Sequence, residues 1–230
     1  MRPEWVLVGV TVLWGGTFLA VQTALTWSGP LFFVGLRFAL AAGIMAMLAG
    51  RRLLRVSWHE IRAGIWIGLA IAIGYGMQTV GLESIASSKS AFITALYVPL
   101  VPVLQWLVLG RPPGALTWAG VALATVGLML IAGPENGGVG FSFGEMITIL
   151  SVIAIATEVI LISRYALTVD AARVTVVQLA AASGFCFLAM GVQGEALPDW
   201  DWRILLFAAG LGLASALIQL AMNWAQRSVS

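Results

Sequence analysis

The chain alternates between long apolar stretches and short polar connections from one end to the other. Crossing about 30 Å of hydrocarbon takes about twenty helical residues, so each stretch predicts a membrane-spanning helix. The predicted segments cover residues 4–25, 31–50, 62–82, 90–110, 115–132, 145–163, 173–191 and 203–225. The pattern therefore predicts an all-α fold, a polytopic membrane helix bundle with eight transmembrane helices.

Arginine residues fall unevenly on the two sides of this bundle. The connection 51–55 carries three arginines, and short loops rich in Lys and Arg stay in the cytoplasm. Alternation then puts on the same side Arg2, Arg111, Arg164, Arg173 and Arg227. The opposite side receives only Lys89 and Arg203. We therefore predict a multi-pass protein of a bacterial-type inner (plasma) membrane, with both termini of this chain in the cytoplasm.

The composition excludes several other classes of protein. Hydrophobic residues make up 60% of the chain, charged residues 10%, and mean hydropathy is +0.99, which a soluble domain could not accommodate. The formal charge of +2 comes without a basic patch for nucleic acid. The single cysteine, Cys186, cannot form a disulfide within the chain, and no His or Cys cluster has metal-ligand spacing. Because no glycine-rich phosphate loop precedes a lysine, ATP-driven transport by this chain alone is excluded, and no cofactor is expected.

A shift of 144 residues brings similar positions of the two halves into correspondence. Under that shift Gly68 matches Gly212, and each has small residues four positions away on both sides. Such spacing lets membrane helices approach closely. A repeated unit of five helices would be inverted across the membrane, an arrangement typical of transporters. We expect a first unit at 1–133 and an incomplete second unit of three helices at 145–230, with two further helices falling beyond the last residue.

Several short motifs follow one another in an order that is similar to a known family. The motifs are Leu13-Trp14-Gly15-Gly16-Thr17-Phe18, Leu36-Arg37-Phe38, Gln78-Thr79-Val80-Gly81-Leu82 with Ser87-Ser88-Lys89-Ser90-Ala91-Phe92, Pro99-Leu100-Val101-Pro102, and Asn223-Trp224-Ala225-Gln226-Arg227. In this order they resemble the ten-helix drug/metabolite transporters with two EamA-type repeats. Two departures are Gly110-Arg111, where the family usually has Gly-Glu, and the absence of the last two helices.

This resemblance implies a fold, a function and a place for the site. It implies a secondary transporter that exports small organic metabolites, amino acids or drugs from the cytoplasm. It also implies that the first, third, fourth, sixth and eighth helices surround a central cavity. The cavity candidates on those helices are Trp14, Tyr75, Gln78, Tyr97 and Asn223.

Arg37 and Glu158 are the only charges well inside predicted helices, where a charge is costly enough to suggest a role or a partner. At the helical rise, Arg37 lies about 10 Å from the outer face and Glu158 about 9 Å from the inner face. Arg37 either holds carbonyl groups or extends towards the interface, or it has a gating role. Glu158 is either a functional acid facing the cavity or a structurally paired residue. As a functional acid it would bind a cationic group or exchange a proton.

Two prolines interrupt the backbone hydrogen bonds of the fourth predicted helix. Pro99 and Pro102 lack the N–H donor, so we expect a kink there that has a structural or gating role. Such a kink would either line the cavity or only shape the packing of the helices.

The sequence therefore predicts an alternating-access carrier and not an enzyme. Its expected partners are a small-molecule substrate, the lipid bilayer and protons as the candidate coupling ion, while the oligomeric state stays open. One alternative is an integral-membrane enzyme acting on a lipid, which would need clustered His, Asp or Glu residues at one interface. A second alternative is a truncated fragment that folds without transporting.

Overall fold

The computed structural model describes residues 15–110, 112, 114–131 and 141–229. In this part of the chain every regular element is a helix. The helices are 15–24 (α1), Pro30–Ala49 (α2), Trp58–Gly81 (α3), Ser87–Ala95 (α4), Tyr97–Leu109 (α5), Ala115–Ile131 (α6), Phe143–Tyr165 (α7), Ala171–Gln193 (α8) and Trp202–Val229 (α9). A 3₁₀ turn, Gly50–Arg55, joins α2 to α3. The chain is thus the polytopic helical bundle that its apolar stretches predict.

Six helical stretches of the described chain are long and apolar enough to cross a membrane. They are Pro30–Arg55, Trp58–Gly81, Ser87–Leu107, Phe143–Tyr165, Ala171–Gln193 and Trp202–Gln226, and the shorter apolar helix is Ala115–Gly127. The predicted segment 4–25 is described only from residue 15. The predicted segment 90–110 forms two helices, α4 and α5, which meet at Leu96.

Local sequence signals determine where several of these helices begin. Ser57 and Glu60 form a reciprocal capping box at the start of α3, because the Ser57 hydroxyl accepts from the Glu60 N–H and the Glu60 carboxylate accepts from the Ser57 N–H. Ser142 and Glu145 do the same at the start of α7. The Asp170 carboxylate caps α8 by accepting from the N–H groups of Ala172 and Arg173. These caps satisfy backbone donors that would otherwise be unpaired at the membrane interface.

The centre of the bundle is formed by α2, α3, α7, α8 and α9. Helix α3 packs against α7 and α8, while α2 packs against α8 and α9. Large side chains that are fully buried in this core include Phe33, Phe38, Ile67, Ile155 and Leu179. Because the lipid is as apolar as these side chains, close packing holds the helices together more than the hydrophobic effect does.

Two glycines make matching contacts in the two halves of the bundle. A Cβ atom added to Gly68 would meet the carbonyl oxygen of Gln178, the side chain of Ala181 and the N–H of Ala182. A Cβ atom added to Gly212 would meet the corresponding atoms of Arg37, Leu40 and Ala41 in α2. Gly212 lies 144 positions after Gly68, and each α8 residue lies 141 positions after its α2 counterpart. The α3–α8 and α2–α9 crossings are therefore built in the same way.

The outer surface of the bundle is also apolar. Large hydrophobic side chains are more than two-thirds exposed along α6, at Leu116, Leu123 and Leu130. A soluble protein rarely leaves such a surface in water, whereas a lipid bilayer covers it without cost. The protein is therefore a multi-pass membrane protein.

One end of the bundle, which we call the basic end, carries the connections 50–57 and 166–170. There the Glu60 carboxylate accepts from the Asp170 N–H at 3.0 Å and from Arg173 Nε at 2.9 Å, and it pairs with Arg173 Nη2 at 2.8 Å. Arg173 Nη1 also donates to the carbonyl oxygen of Arg55 at 2.9 Å. These bonds tie the start of α3 to the start of α8.

The opposite end, which we call the acidic end, carries the connections 25–29, 82–86 and 194–201. The Glu195 carboxylate accepts from the N–H groups of Leu31 and Phe32 at 3.0 and 2.8 Å, so a negative charge lies at the positive start of α2. Lys89 of α4 forms an ion pair with Glu145 of α7 at 2.5 Å. The two halves of the chain are thus joined at both ends of the bundle.

Candidate functional site

Arg37 lies in the interior of α2 and only 4% of its surface is exposed. Its guanidinium carbon lies 4.8 Å from the ring centre of Phe38 and 5.2 Å from that of Tyr75, within the range of cation–π attraction. Its Nε atom is buried without a hydrogen-bond partner among the described residues. Since a buried polar group without a partner is costly, this donor is available to a ligand or water.

Glu158 lies on α7 and is 1% exposed. Its Oε1 atom accepts a hydrogen bond of 2.7 Å from Gln219 Nε2 of α9. Its Oε2 atom, like Arg37 Nε, is buried without a partner in the described part of the chain. The two charges interact electrostatically, but they form no ion pair in the described structure. A cation and an anion therefore lie near each other in the bundle, each with an unused polar atom.

Three side-chain amides, which we call the amide chain, connect α8 and α9 to Glu158. They are Asn223, Gln178 and Gln219, and none is more than 3% exposed. Asn223 Nδ2 donates to Gln178 Oε1 at 3.3 Å, and Gln178 Nε2 donates to Gln219 Oε1 at 2.7 Å. The chain then ends with the bond from Gln219 to Glu158. At its other end Asn223 also donates to Thr175 Oγ1 at 3.1 Å.

A small cavity lies beside Arg37 and contains residues of both halves. Its volume is about 10 Å³, which is room for about one water molecule. The residues that line it are Thr17, Arg37, Phe38, Tyr75, Ser215, Ile218 and Gln219. Tyr97 of α5 lies close enough to Glu158 and Tyr75 to interact with them electrostatically. Aromatic rings, a guanidinium, hydroxyls and an amide thus converge on one closed space.

The profile of the EamA-like transporter family matches residues 1–133, which is more than half of the chain. The chain belongs to the EamA-like transporter family.

The relatives of this EamA-family chain are named as transporters. An uncharacterized transporter of Archaeoglobus fulgidus is 32% identical over 68% of this chain and 47% of its own length. Uncharacterized transporter YvbV of Bacillus subtilis is 23% identical over 97% of this chain and 73% of its own length. Uncharacterized inner membrane transporter YedA of Escherichia coli is 27% identical over 83% of this chain and 62% of its own length. The chain therefore spans about half to three-quarters of the length of these relatives.

A solved crystal structure has the same fold as this EamA-family chain. It covers 99% of this chain and 81% of the other, with a TM-score of 0.70 and 17% sequence identity. At this identity the likeness shows the fold and no more. The family match and the relatives named as transporters support a membrane transporter.

The structure brings some of the predicted site residues together and places others elsewhere. Arg37 and Tyr75 line the cavity, and Tyr97 and Glu158 lie close enough to Tyr75 to interact with it electrostatically. The Gln78 amide instead donates to the hydroxyl of a buried threonine of α4 at 3.0 Å, so it joins α3 to α4.

Another predicted binding residue does not line the cavity. Asn223 is buried in the amide chain, and the cavity lining does not include it. Trp14 lies outside the described residues.

The two prolines follow a break between helices. Pro99 is the third residue of α5, and Pro102 lies inside that helix. The ring of a proline at position 99 conflicts with the carbonyl group of Ala95, the last residue of α4, and so favours the interruption at Leu96. Whether these residues act in gating stays a prediction.

Gln178, Gln219 and Ser215 were not among the site residues predicted from the sequence. One sequence signal could have found them. Ser215, Gln219 and Asn223 recur every four residues along an otherwise apolar helix, so they share one face of α9. Thr175 and Gln178 share a face of α8 in the same way. Two polar faces on neighbouring membrane helices indicate that those faces meet.

The arrangement can bind charged groups of both signs. Arg37 offers donors for an anionic group, and Glu158 Oε2 offers an acceptor for a cationic group. Among the described residues, no group of three His, Cys, Asp or Glu side chains could hold a metal ion. The chemistry that these residues support is recognition of a solute.

Proposed function

We propose that this protein exports small organic metabolites by alternating access, and that Arg37 and Glu158 belong to its substrate site. Amino acids and related compounds are the proposed substrate class, with drugs of similar polarity as a wider range. The family match and the transporter relatives support the transport function. The pair of buried charges supports the substrate class.

One observation carries this proposal: within the described part of the chain, each of the two buried charged residues has a polar atom without a hydrogen-bond partner. Arg37 comes from the first half of the chain and Glu158 from the second, and the unused atoms are Nε and Oε2. Buried charges in a membrane protein usually pair with each other, and an unused atom on each is costly. A zwitterionic solute would satisfy both, because its carboxylate would accept from Arg37 and its ammonium would donate to Glu158.

The proposed transport cycle needs the cavity to open. A space of about 10 Å³ holds no metabolite, so the cavity beside Arg37 would have to widen to admit one. We propose that residues 1–133 and 145–230 are related inverted units that move against each other, as the matching contacts of Gly68 and Gly212 suggest. The bonds at the basic and acidic ends would then open in turn.

A neutral substitution of the acidic residue tests the site. Glu158→Gln keeps an oxygen that accepts from Gln219 but removes the charge, so we expect flux in proteoliposomes to fall more than about tenfold, with normal expression and melting temperature. Glu83→Gln is the matched control, because that carboxylate is exposed at the acidic end and should leave flux unchanged. Unchanged flux in a normally expressed Glu158→Gln protein would refute the proposed role of Glu158.

The substrate and the coupling ion are tested by one screen. Amino acids, nucleosides and cationic drugs compete for uptake into proteoliposomes, with and without a pH gradient. We propose that amino acids compete and that a proton gradient drives their export, with Glu158 exchanging the proton. Equal flux with and without the gradient would contradict proton coupling while leaving the substrate class open to the competition result.

The orientation is a proposal of the same kind. We propose that the basic end faces the cytoplasm in an inner membrane, with both termini of this chain on that side, because short loops rich in arginine stay inside. Reporter fusions at each terminus test it, since an enzyme that is active only in the cytoplasm reports the location of its fusion point. Activity from an external reporter at either terminus would contradict the orientation.

A further inference from the structure

The amide chain has a direction that is fixed from both of its ends. An ionised carboxylate only accepts hydrogen bonds, so Gln219 must turn its NH₂ group towards Glu158 and its oxygen towards Gln178. Gln178 must then present its own NH₂ group to Gln219 and its oxygen to Asn223. The three amides therefore form one ordered sequence of donors that ends on the carboxylate.

The far end of the amide chain enforces the same direction independently. Asn223 Nδ2 donates to the backbone carbonyl oxygen of Gln219 at 2.9 Å, and a carbonyl oxygen can only accept. It also donates to Thr175 Oγ1, whose proton is used in a bond of 2.6 Å to the carbonyl oxygen of Ala171. Asn223 cannot turn over without losing these bonds. They use its two hydrogens, so its 3.3 Å contact with Gln178 Oε1 is a shared bond at most, but a turned Gln178 would place its own NH₂ group against that of Asn223.

This ordered sequence makes the two oxygens of Glu158 different. Oε1 is held by the NH₂ group of Gln219, while Oε2 is nine-tenths or more buried and has no partner among the residues that the structure describes. Cooperative polarisation along the amides strengthens the bond to Oε1 in this buried site. An incoming group therefore meets one free oxygen and one that is already bonded.

We propose that Gln219, Gln178 and Asn223 are positioning residues that commit Oε1 of Glu158 and so select a primary ammonium group over a guanidinium group in the transported solute. The inference rests on the proposed function, because it takes Glu158 as part of the substrate site. An ammonium group can approach Oε2 with one N–H and leave its other donors to other acceptors. A planar guanidinium needs both carboxylate oxygens at once, and at Oε1 it must share the acceptor with the Gln219 NH₂ group, which also crowds that side of the carboxylate.

Two zwitterions that differ only in their cationic group test the selectivity. The probes are 4-aminobutanoate and 4-guanidinobutanoate, whose shared carboxylate suits Arg37, and their affinities are measured by calorimetry on the purified full chain. We expect wild-type protein to bind the amino compound about tenfold more tightly, the ratio that one hydrogen bond to a charged group provides. Gln178→Leu and Asn223→Leu break the amide chain at different links, and in both the ratio should approach one.

Gln22→Leu is the matched control for loss of a hydrogen-bonded amide. The Gln22 amide donates to the Ile85 carbonyl at 2.9 Å at the acidic end, outside the amide chain, so the wild-type ratio should persist. In Gln178→Asn the shorter amide should restore part of the affinity ratio that Gln178→Leu loses. Such a rescue supports a positioning role of the Gln178 amide over a role in packing alone. If one leucine variant fails to fold, as judged by its melting temperature, the other decides.

The outcomes separate this inference from the proposed function. Equal affinity of wild-type protein for both probes, or a wild-type ratio in the folded leucine variants, would overturn the role of the amide chain even if Glu158→Gln abolishes binding. If Glu158→Gln binds 4-aminobutanoate as wild-type protein does, the proposed substrate site itself fails.

Discussion

Alanine at Gly68 should destabilise the protein because two helices already touch there. A Cβ atom at this position would lie 2.5 Å from the carbonyl oxygen of Gln178, 2.7 Å from the Cβ of Ala181 and 3.0 Å from the N–H of Ala182. Two of these atoms belong to the backbone of α8, so no side chain can rotate away. The α3 and α8 helices would have to separate, which would open space along the rest of their contact.

The expected cost follows from two opposing effects. Adding one carbon to a well-packed interior costs about 1–3 kcal/mol. Alanine favours the helix over glycine by about 1 kcal/mol, which offsets part of that cost. A net loss of up to about 2 kcal/mol remains, and for a chain of this length it lowers the melting temperature by up to about 8 °C.

Two other glycines provide a graded comparison. At Gly212 the nearest atoms to an added Cβ lie at 3.0 to 3.3 Å, so alanine there should cost less than at Gly68. At Gly43 no atom lies within 4 Å and the residue is exposed, so alanine should cost nothing or stabilise slightly. Thermal unfolding in detergent, followed by tryptophan fluorescence, measures all three variants. A Gly68→Ala protein as stable as Gly43→Ala would refute the reasoning from close helix contact.

Two further substitutions test the ends of the bundle. Arg173→Gln removes both bonds to the buried Glu60 carboxylate and should cost about 1.5–3 kcal/mol of stability. Arg173→Lys keeps the charge but not the planar guanidinium, so it should cost less. Equal melting temperatures for the two variants would contradict this. Partial desolvation and the nearby Glu195 carboxylate raise the pKa of Glu83. The stability that protonated Glu83 provides is therefore present below its ordinary pKa, and it is lost as the pH rises through the raised pKa. Glu83→Gln should therefore stabilise the protein at neutral pH by at most about 0.5 kcal/mol and have no effect near pH 4, which melting curves across that range would check.

Helix positions were predictable from the sequence because the bilayer sets the length of an apolar segment. The segments predicted at 145–163 and 173–191 are observed at Phe143–Tyr165 and Ala171–Gln193. At the N-terminal ends the two extra residues follow from the polar caps Ser142 and Asp170, and at the C-terminal ends the helices continue two residues past the predicted apolar segments. The break at Leu96 was harder to predict from the sequence, because two prolines predict a kink but do not tell whether the helix stops there.

The grouping of the site residues was only partly predictable, for a different physical reason. Depth in the membrane can be counted from the helix ends, and it suggested that Arg37 and Glu158 differ by about 10 Å. Rotation about the helix axis decides which side chains meet, and helices that are apolar all round carry little information about it. The helix faces that bear Gln178 and Gln219 were the exception, because their polar residues mark one side.

The matching glycine contacts bear on how the proposed substrate site could diversify. The contacts of Gly68 and Gly212 align α2 with α8 at an offset of 141 positions and α3 with α9 at an offset of 144. The same offsets make Arg37 the counterpart of Gln178, and Tyr75 the counterpart of Gln219. One half therefore presents a cation and an aromatic ring where the other presents two amides. Because the helix crossings depend on glycine and backbone atoms, the chemistry at these four positions can change while the frame that holds them stays the same.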